Sequence, residues 1–167
     1  MKEIELKLGY DHIDEIKELF MEYTNMLIDG DPKFKQYLEI QNYDDELLHL
    51  EKKYGLPKGR LYLLYYHHEV AGCIALRTID DRSCELKRLY IKPKFRGLGL
   101  GKYLVETIIQ DAKEIGYQSI LLDTLPFLQE AISLYKKYRF YEIPSYNNSP
   151  MDTSIYMKLD LIKDIDR

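Results

Sequence analysis

Between Phe95 and Leu104 the chain reads FRGLGLGKYL, which places Gly97, Gly99 and Gly101 at every second position between Arg96 and Lys102. Glycine has no Cβ to hold a ligand away and adopts positive φ at no steric cost, so successive N–H groups can converge on one anion. From Leu100 onward the apolar spacing is helical, and the N-terminal end of a helix adds partial positive charge. Arg96 and Lys102 supply charge-assisted contacts or steering. Capture of a phosphate or pyrophosphate is the chemistry that suits this assembly. The local charge agrees: Lys87, Arg88, Lys92, Lys94, Arg96 and Lys102 face one acid, Glu85, in a chain of net charge −4.

Two familiar phosphate motifs do not fit. A P-loop requires G-x-x-x-x-G-K-[ST], but Arg96 stands where its first glycine belongs and Tyr103 follows Lys102. A dinucleotide fingerprint begins at Gly97-Leu98-Gly99, yet its third glycine comes one position early at Gly101, and no N-terminal strand–helix–strand unit frames it. The pattern that fits is R-x-x-G-x-G, on Arg96, Gly99 and Gly101, after a strand and before a helix.

The elements that must position this loop are legible from periodicity. EIELKL, from Glu3 to Leu8, alternates as a half-buried strand; Asp11 is the expected N-cap of a helix carrying Ile13, Ile16, Leu19, Phe20, Tyr23, Met26 and Leu27, closed by Asp29-Gly30-Asp31-Pro32. A more polar helical region follows from about Pro32 to Tyr54, with an interruption around Gln41 to Asp44. RLYLLYYHH, VAGCIALRTI and CELKRLYI form a strand meander. Leu104, Val105, Ile108, Ile109, Ala112 and Ile115 return to helical spacing until Gly116. QSILLDT is a buried strand, Phe127 to Tyr138 a helix, and FYEIPSY and SIYMKLDL two short strands. The strand–helix–strand unit around RGLGLG implies parallel neighbours and the meander antiparallel ones, so the sheet is mixed.

With R-x-x-G-x-G in this setting, the sequence resembles the GNAT superfamily of acyl-CoA-dependent N-acetyltransferases. CELKRLYIKPKFRGLGLGKYL is similar to that family's fourth strand and pyrophosphate loop, and LLDTLPFLQEAISLYKKYRF to its fifth strand and following helix. The order of elements from Glu3 to Leu161 matches as well. The resemblance implies an α/β (α+β) fold: a mixed, mostly antiparallel sheet of about seven strands flanked by four helices, with a V-shaped splay between strands 4 and 5. It implies acetyl-CoA as co-substrate, with no metal. The pyrophosphate would lie on Arg96, Gly97, Leu98, Gly99, Leu100, Gly101 and Lys102, and the pantetheine arm along Leu89, Tyr90 and Ile91.

Acetyl transfer to an amine needs a neutral nucleophile, a polarised thioester carbonyl and a proton for the departing thiolate. An alkyl ammonium has a pKa near ~10, so a carboxylate acting directly or through water suits as general base. Glu85 occupies the family's usual position for it; the competing reading is a solvated strand glutamate paired with Lys87 or Arg88. Tyr135, in SLYKKYRF, occupies the position of the family's acid tyrosine, against a packing role on an amphipathic helix. The carbonyl oxygen would be held by a backbone N–H near Leu89. Leu128 replaces an asparagine frequent in the family, and Arg139 a glycine, so Arg139 must take a left-handed conformation or shift the helix end.

The remaining features bound the function. A chain of 167 residues can bury roughly 70% of its unfolded surface, which points to a single domain over residues 1–167. Cys73 and Cys84 fit neither a disulfide framework nor a zinc site and are expected in the core, and His12, His49, His67 and His68 are expected to face solvent. The negative net charge and the absence of an aromatic-basic motif argue against nucleic-acid binding. The charged start MKEIELKLGY and the lack of a long apolar run argue against a membrane protein and for a cytoplasmic one. A non-catalytic acyl-CoA-binding or sensing domain is the alternative to an enzyme. The acceptor amine, small molecule or peptide, is expected between the first helices and the loop PSYNNSPMDTS. Asp29, Asp31, Asp44, Asp45 and Glu46 either attract it or form a solvated helix face. The terminal strand offers an edge for a homodimer.

Overall fold

A meander of alternating apolar strands followed by one crossover helix leaves few arrangements open, because a helix between two strands returns them parallel while tight turns return them antiparallel. The computed structural model of the protein describes residues 3–40, 43–147 and 151–161. It contains the strands β1 (Ile4–Leu8), β2 (Arg60–Tyr66), β3 (Glu69–Thr78), β4 (Ser83–Ile91), β5 (Ser119–Thr124), β6 (Tyr141–Ile143) and β7 (Ile155–Asp160). They form one sheet in the order β1-β2-β3-β4-β5-β7-β6. Every neighbouring pair is antiparallel except β4 and β5. That parallel pair is matched only from Ser83↔Ser119 to Glu85↔Leu121, after which the strands part. This opening is the expected splay.

Helix α1 (Ile13–Gly30) lies on one face of the sheet and α5 (Leu100–Ile115) on the other. Ile16, Leu19 and Phe20 of α1 are wholly buried against Leu61, Leu63, Cys73 and Ala75, while Leu104, Val105 and Ile108 of α5 pack on Ile74, Leu76, Ile120 and Met157. Alternation along β2 and β3 sends successive side chains to these two cores.

Three sequence expectations are corrected. Asp11 closes a short 3-10 turn, Gly9–Asp11, and His12 is the N-cap of α1 without a side-chain hydrogen bond. The polar helical region is three short helices, α2 (Phe34–Ile40), α3 (Tyr43–Leu48) and α4 (Leu50–Tyr54), so the described residues hold six α-helices where four were expected. The expected interruption falls in part on Gln41 and Asn42, outside the described residues. Helix α6 (Gln129–Lys137) starts two residues late, with Leu128 as its N-cap. Arg139 takes the left-handed conformation at φ 73°, and the Phe140 N–H reaches back to the Tyr135 carbonyl at 3.0 Å. A non-glycine residue therefore closes α6 where the family prefers glycine. Among the described residues no helix is long and apolar enough to cross a membrane.

Candidate active site

The site begins with an irregularity in β4. Ala75 pairs with Lys87 and Cys73 with Tyr90, so Arg88 and Leu89 together oppose Ile74. Such a bulge bends the strand and re-phases its side chains. Here Leu86 belongs to the α5 core, Tyr90 to the α1 core, and Leu89 and Ile91 pack toward α5. Arg88 sits at φ 60°, a conformation that costs a non-glycine residue roughly 1–2 kcal/mol.

Glu46 of α3 compensates that cost. Its carboxylate takes two hydrogen bonds from the Arg88 guanidinium, Nε to Oε2 at 3.0 Å and an Nη to Oε1 at 2.8 Å. Lys53 Nζ and the Tyr54 hydroxyl donate to the same two oxygens at 2.7 and 2.8 Å. Both Glu46 and Arg88 are 4% exposed. Burial alone would raise the Glu46 pKa, but Arg88 and Lys53 outweigh it and hold the carboxyl far below its usual range. Glu46 is thus neither a solvated helix residue nor an open lure for a cationic acceptor. The Arg88 guanidinium also lies over the Phe20 and Tyr43 rings, at 5.8 and 5.2 Å, and the Cys73 thiol donates to its carbonyl at 3.3 Å.

Below the bulge, Gly97 and Gly99 take φ values of 82° and 78°, and nothing lies within 4 Å of the position a Cβ would occupy at either. Gly99 is the N-cap of α5 and has no side chain to cap it, so the first-turn N–H groups are left for an anion. Arg96 is held over this end by a bond from its Nε to the Ile91 carbonyl, 2.9 Å, and by the Tyr90 ring at 5.7 Å.

A cavity of about 460 Å³ runs from this loop into the splay. Leu89, Tyr90, Ile91, Arg96, Gly97, Gly99, Leu100, Gly101 and Tyr135 are on its wall. Leu98 and Lys102 are exposed outside it, and Glu85 is not on its wall either. Glu85 is 3% exposed and occupied: Arg77, its cross-strand partner, donates Nε to Oε1 at 2.7 Å, and the Tyr146 hydroxyl donates to Oε2. Burial would raise its pKa, but Lys87 and Arg77 outweigh that and lower it. Of the partners named for a solvated glutamate, Lys87 acts on Glu85 electrostatically, whereas the Arg88 guanidinium goes to Glu46, and Glu85 itself is buried. Tyr135 is 5% exposed, with its ring 5.6 Å from that of Phe140. Burial, reinforced by Tyr23 and Asp123, raises its phenol well above the usual range, so it stays protonated. Cys73 and Cys84 are buried free thiols; burial pushes Cys84 up to about 12, which leaves no thiolate for nucleophilic attack.

The cavity also holds residues that sequence reasoning did not assign to the site: Tyr23 and Met26 of α1, Phe34 of α2, Asp123 of β5 and Phe127 after it, along with Lys87 of the basic run. One signal was available, an acid at the C-terminal end of the otherwise apolar strand QSILLDT.

Residues 13–140 match the acetyltransferase (GNAT) family. An uncharacterised N-acetyltransferase of Schizosaccharomyces pombe is 39% identical over 160 residues, covering 95% of this chain and 93% of that protein. The fold is shared with an acetyltransferase of Streptococcus agalactiae, at TM-score 0.76 and 24% identity over 96% of this chain and 99% of that one. A Bacillus subtilis acetyltransferase solved in complex with CoA aligns at TM-score 0.64 and 21% identity, covering 95% and 99% of the two chains. A mixed sheet opened between β4 and β5, with a glycine loop at the foot of the opening, defines the class: a GNAT acyltransferase fold. The chain belongs to the GNAT acetyltransferase family.

Proposed function

We propose that the protein moves the acetyl group of acetyl-CoA to a primary amine by direct transfer in a ternary complex. One observation carries this reading: a single cavity joins an open glycine loop at a helix N-terminus to a buried, protonated phenol. The loop amides of Gly97 to Gly101, with Arg96, would take the pyrophosphate, and Leu89 to Ile91 the pantetheine arm. A backbone N–H at the bulge, near Leu89, would polarise the thioester carbonyl, and Tyr135 would protonate the thiolate. Glu85 acts, on this reading, by holding β3, β4 and the Tyr146 segment in place.

The acceptor half of the wall is apolar around its charged floor: Met26, Leu27, Phe34, Leu125 and Phe127 line it. An amine on an apolar skeleton suits such a wall. Thiol release from acetyl-CoA, measured with alkylamines, phenethylamine, polyamines, amino acids and peptide N-termini, tests the activity. Release stimulated by none of these would favour the non-catalytic acyl-CoA-binding alternative.

Coenzyme binding has its own test. Gly101 lies at ordinary φ inside the first turn of α5, and a Cβ there would meet only Leu134 Cδ2, at 3.5 Å. Gly101→Val should therefore fold yet crowd the phosphate position, whereas a valine at Gly99 would also strain the backbone. A ligand at 100 times its Kd stabilises by about 2.7 kcal/mol. Acetyl-CoA should raise the Tm of the wild type and leave that of Gly101→Val unmoved; equal shifts would remove the cradle.

A further inference from the structure

We infer that Asp123, rather than Glu85, is the carboxylate that receives the acceptor ammonium and its proton. This rests on the acetyl transfer proposed above. The first support is position. The parallel pairing of β4 and β5 ends at Glu85↔Leu121, and two residues further on each strand stand Lys87 and Asp123, where the strands have begun to part. Asp123 is on the cavity wall together with Leu89 and Tyr135, so carboxylate, coenzyme strand and phenol share one space. Glu85, two residues deeper, is off that wall and has both oxygens engaged.

The second support is orientation. The Asn147 side-chain amide donates to Asp123 Oδ2 at 2.9 Å, and the Tyr156 hydroxyl donates to Asn147 Oδ1 at 2.9 Å. A carboxylate held by a second group that is itself held by a third is fixed in orientation, as a positioned acid–base group is. The charged and titratable neighbours are Lys87 on β4, Tyr23 on α1, Tyr135 on α6 and Tyr156, the cross-strand partner on β7; Arg88 shares the cavity wall but is neutralised by Glu46. Lys87 is the cation that matters here. Burial and Arg88 lower its pKa, while Glu85 and Asp123 favour its charge; a cation there would favour the neutral amine, and Asp123 offers the place for the proton.

The step balances as follows. The ammonium gives one proton to Asp123, which releases it to solvent. The amine lone pair forms the N–C bond at the thioester carbon, and the tetrahedral nitrogen loses a second proton to the same carboxylate. The C–S bond then breaks, and the thiolate takes the Tyr135 proton, which the proton on Asp123 replaces. Amide, thiol and one released proton result.

The test needs no knowledge of the acceptor. S-(2-aminoethyl)-coenzyme A places an ammonium just beyond the sulfur, and S-propyl-coenzyme A places a methyl there. Calorimetric titration of Asp123→Asn should show about tenfold or more weaker binding of the aminoethyl compound with unchanged binding of the propyl one, and Glu85→Gln should change neither. The propyl compound reports that the variant site is folded, and Asp123→Ala repeats the measurement if the asparagine variant does not fold. With the fastest amine of the panel, Asp123→Asn should also lose about 10²-fold or more in kcat/KM at neutral pH and recover part of it as pH rises. Equal loss of both compounds, loss of neither, or a selective loss in Glu85→Gln instead would overturn the assignment while leaving coenzyme binding intact. Failure of both compounds to bind the wild type would remove the acetyl-transfer reading and this inference with it.

Discussion

Tyr135→Phe is expected to lower kcat by about 10²–10⁴-fold at neutral pH with no change in acetyl-CoA affinity. The phenylalanine keeps the ring that packs on Phe140 and removes only the hydroxyl. The phenol is buried on the cavity wall and protonated at neutral pH. Thiol release with the fastest amine measures kcat, and titration with acetyl-CoA measures affinity. A phenylalanine variant with full turnover would make Tyr135 a packing residue, and the thiolate would then leave unprotonated or be protonated by water.

Glu46→Ala should cost about 3–5 kcal/mol of folding free energy, because it leaves a guanidinium buried without its counter-ion. Against a total stability of about 5–15 kcal/mol that is a large share. The loss should reach function as well, since the same ion pair holds Arg88 at positive φ and so maintains the bulge that exposes Leu89 to the cavity. Urea unfolding gives the first effect; a smaller acetyl-CoA thermal shift in the variant gives the second. Acid should act in the same direction. The folded pKa of Glu46 lies below its unfolded value, near ~4.3, so its contribution is complete above that pH and is lost as pH falls toward the folded pKa. Between about pH 4.3 and lower values, wild-type stability should therefore fall more steeply than that of Glu46→Gln. Parallel acid curves would mean that another carboxylate carries the effect.

What the sequence by itself determined is what a short stretch of chain encodes. Alternation in EIELKL and SIYMKLDL, the three- and four-residue steps of α1 and α5, and the glycines at Gly97, Gly99 and Gly116 are local properties, because backbone φ and the burial period follow from neighbouring residues. The order of these elements then constrained the sheet, since one helix crossover sets β4 beside β5 in parallel and the turns set the rest antiparallel. The glycine loop proposed to hold the coenzyme is contiguous, and so it could be read. Less local features could not. Glu46 and Arg88 are separated by 42 residues, and the polar helix bearing Glu46 reads from its own pattern as a solvated face. Only packing of α3 against the β4 bulge removes it from water. Glu85 reads as a lone acid beside a basic run, whereas the tertiary structure gives one of its oxygens to Arg77 across the strand and the other to Tyr146, 61 residues away. Asp123 stood unmarked at the end of an apolar strand until the splay brought it to the cavity wall. The physical reason is the same in each case: a charge takes its role from the partners and the solvent that remain after folding, and those are fixed by contacts between segments far apart in the chain.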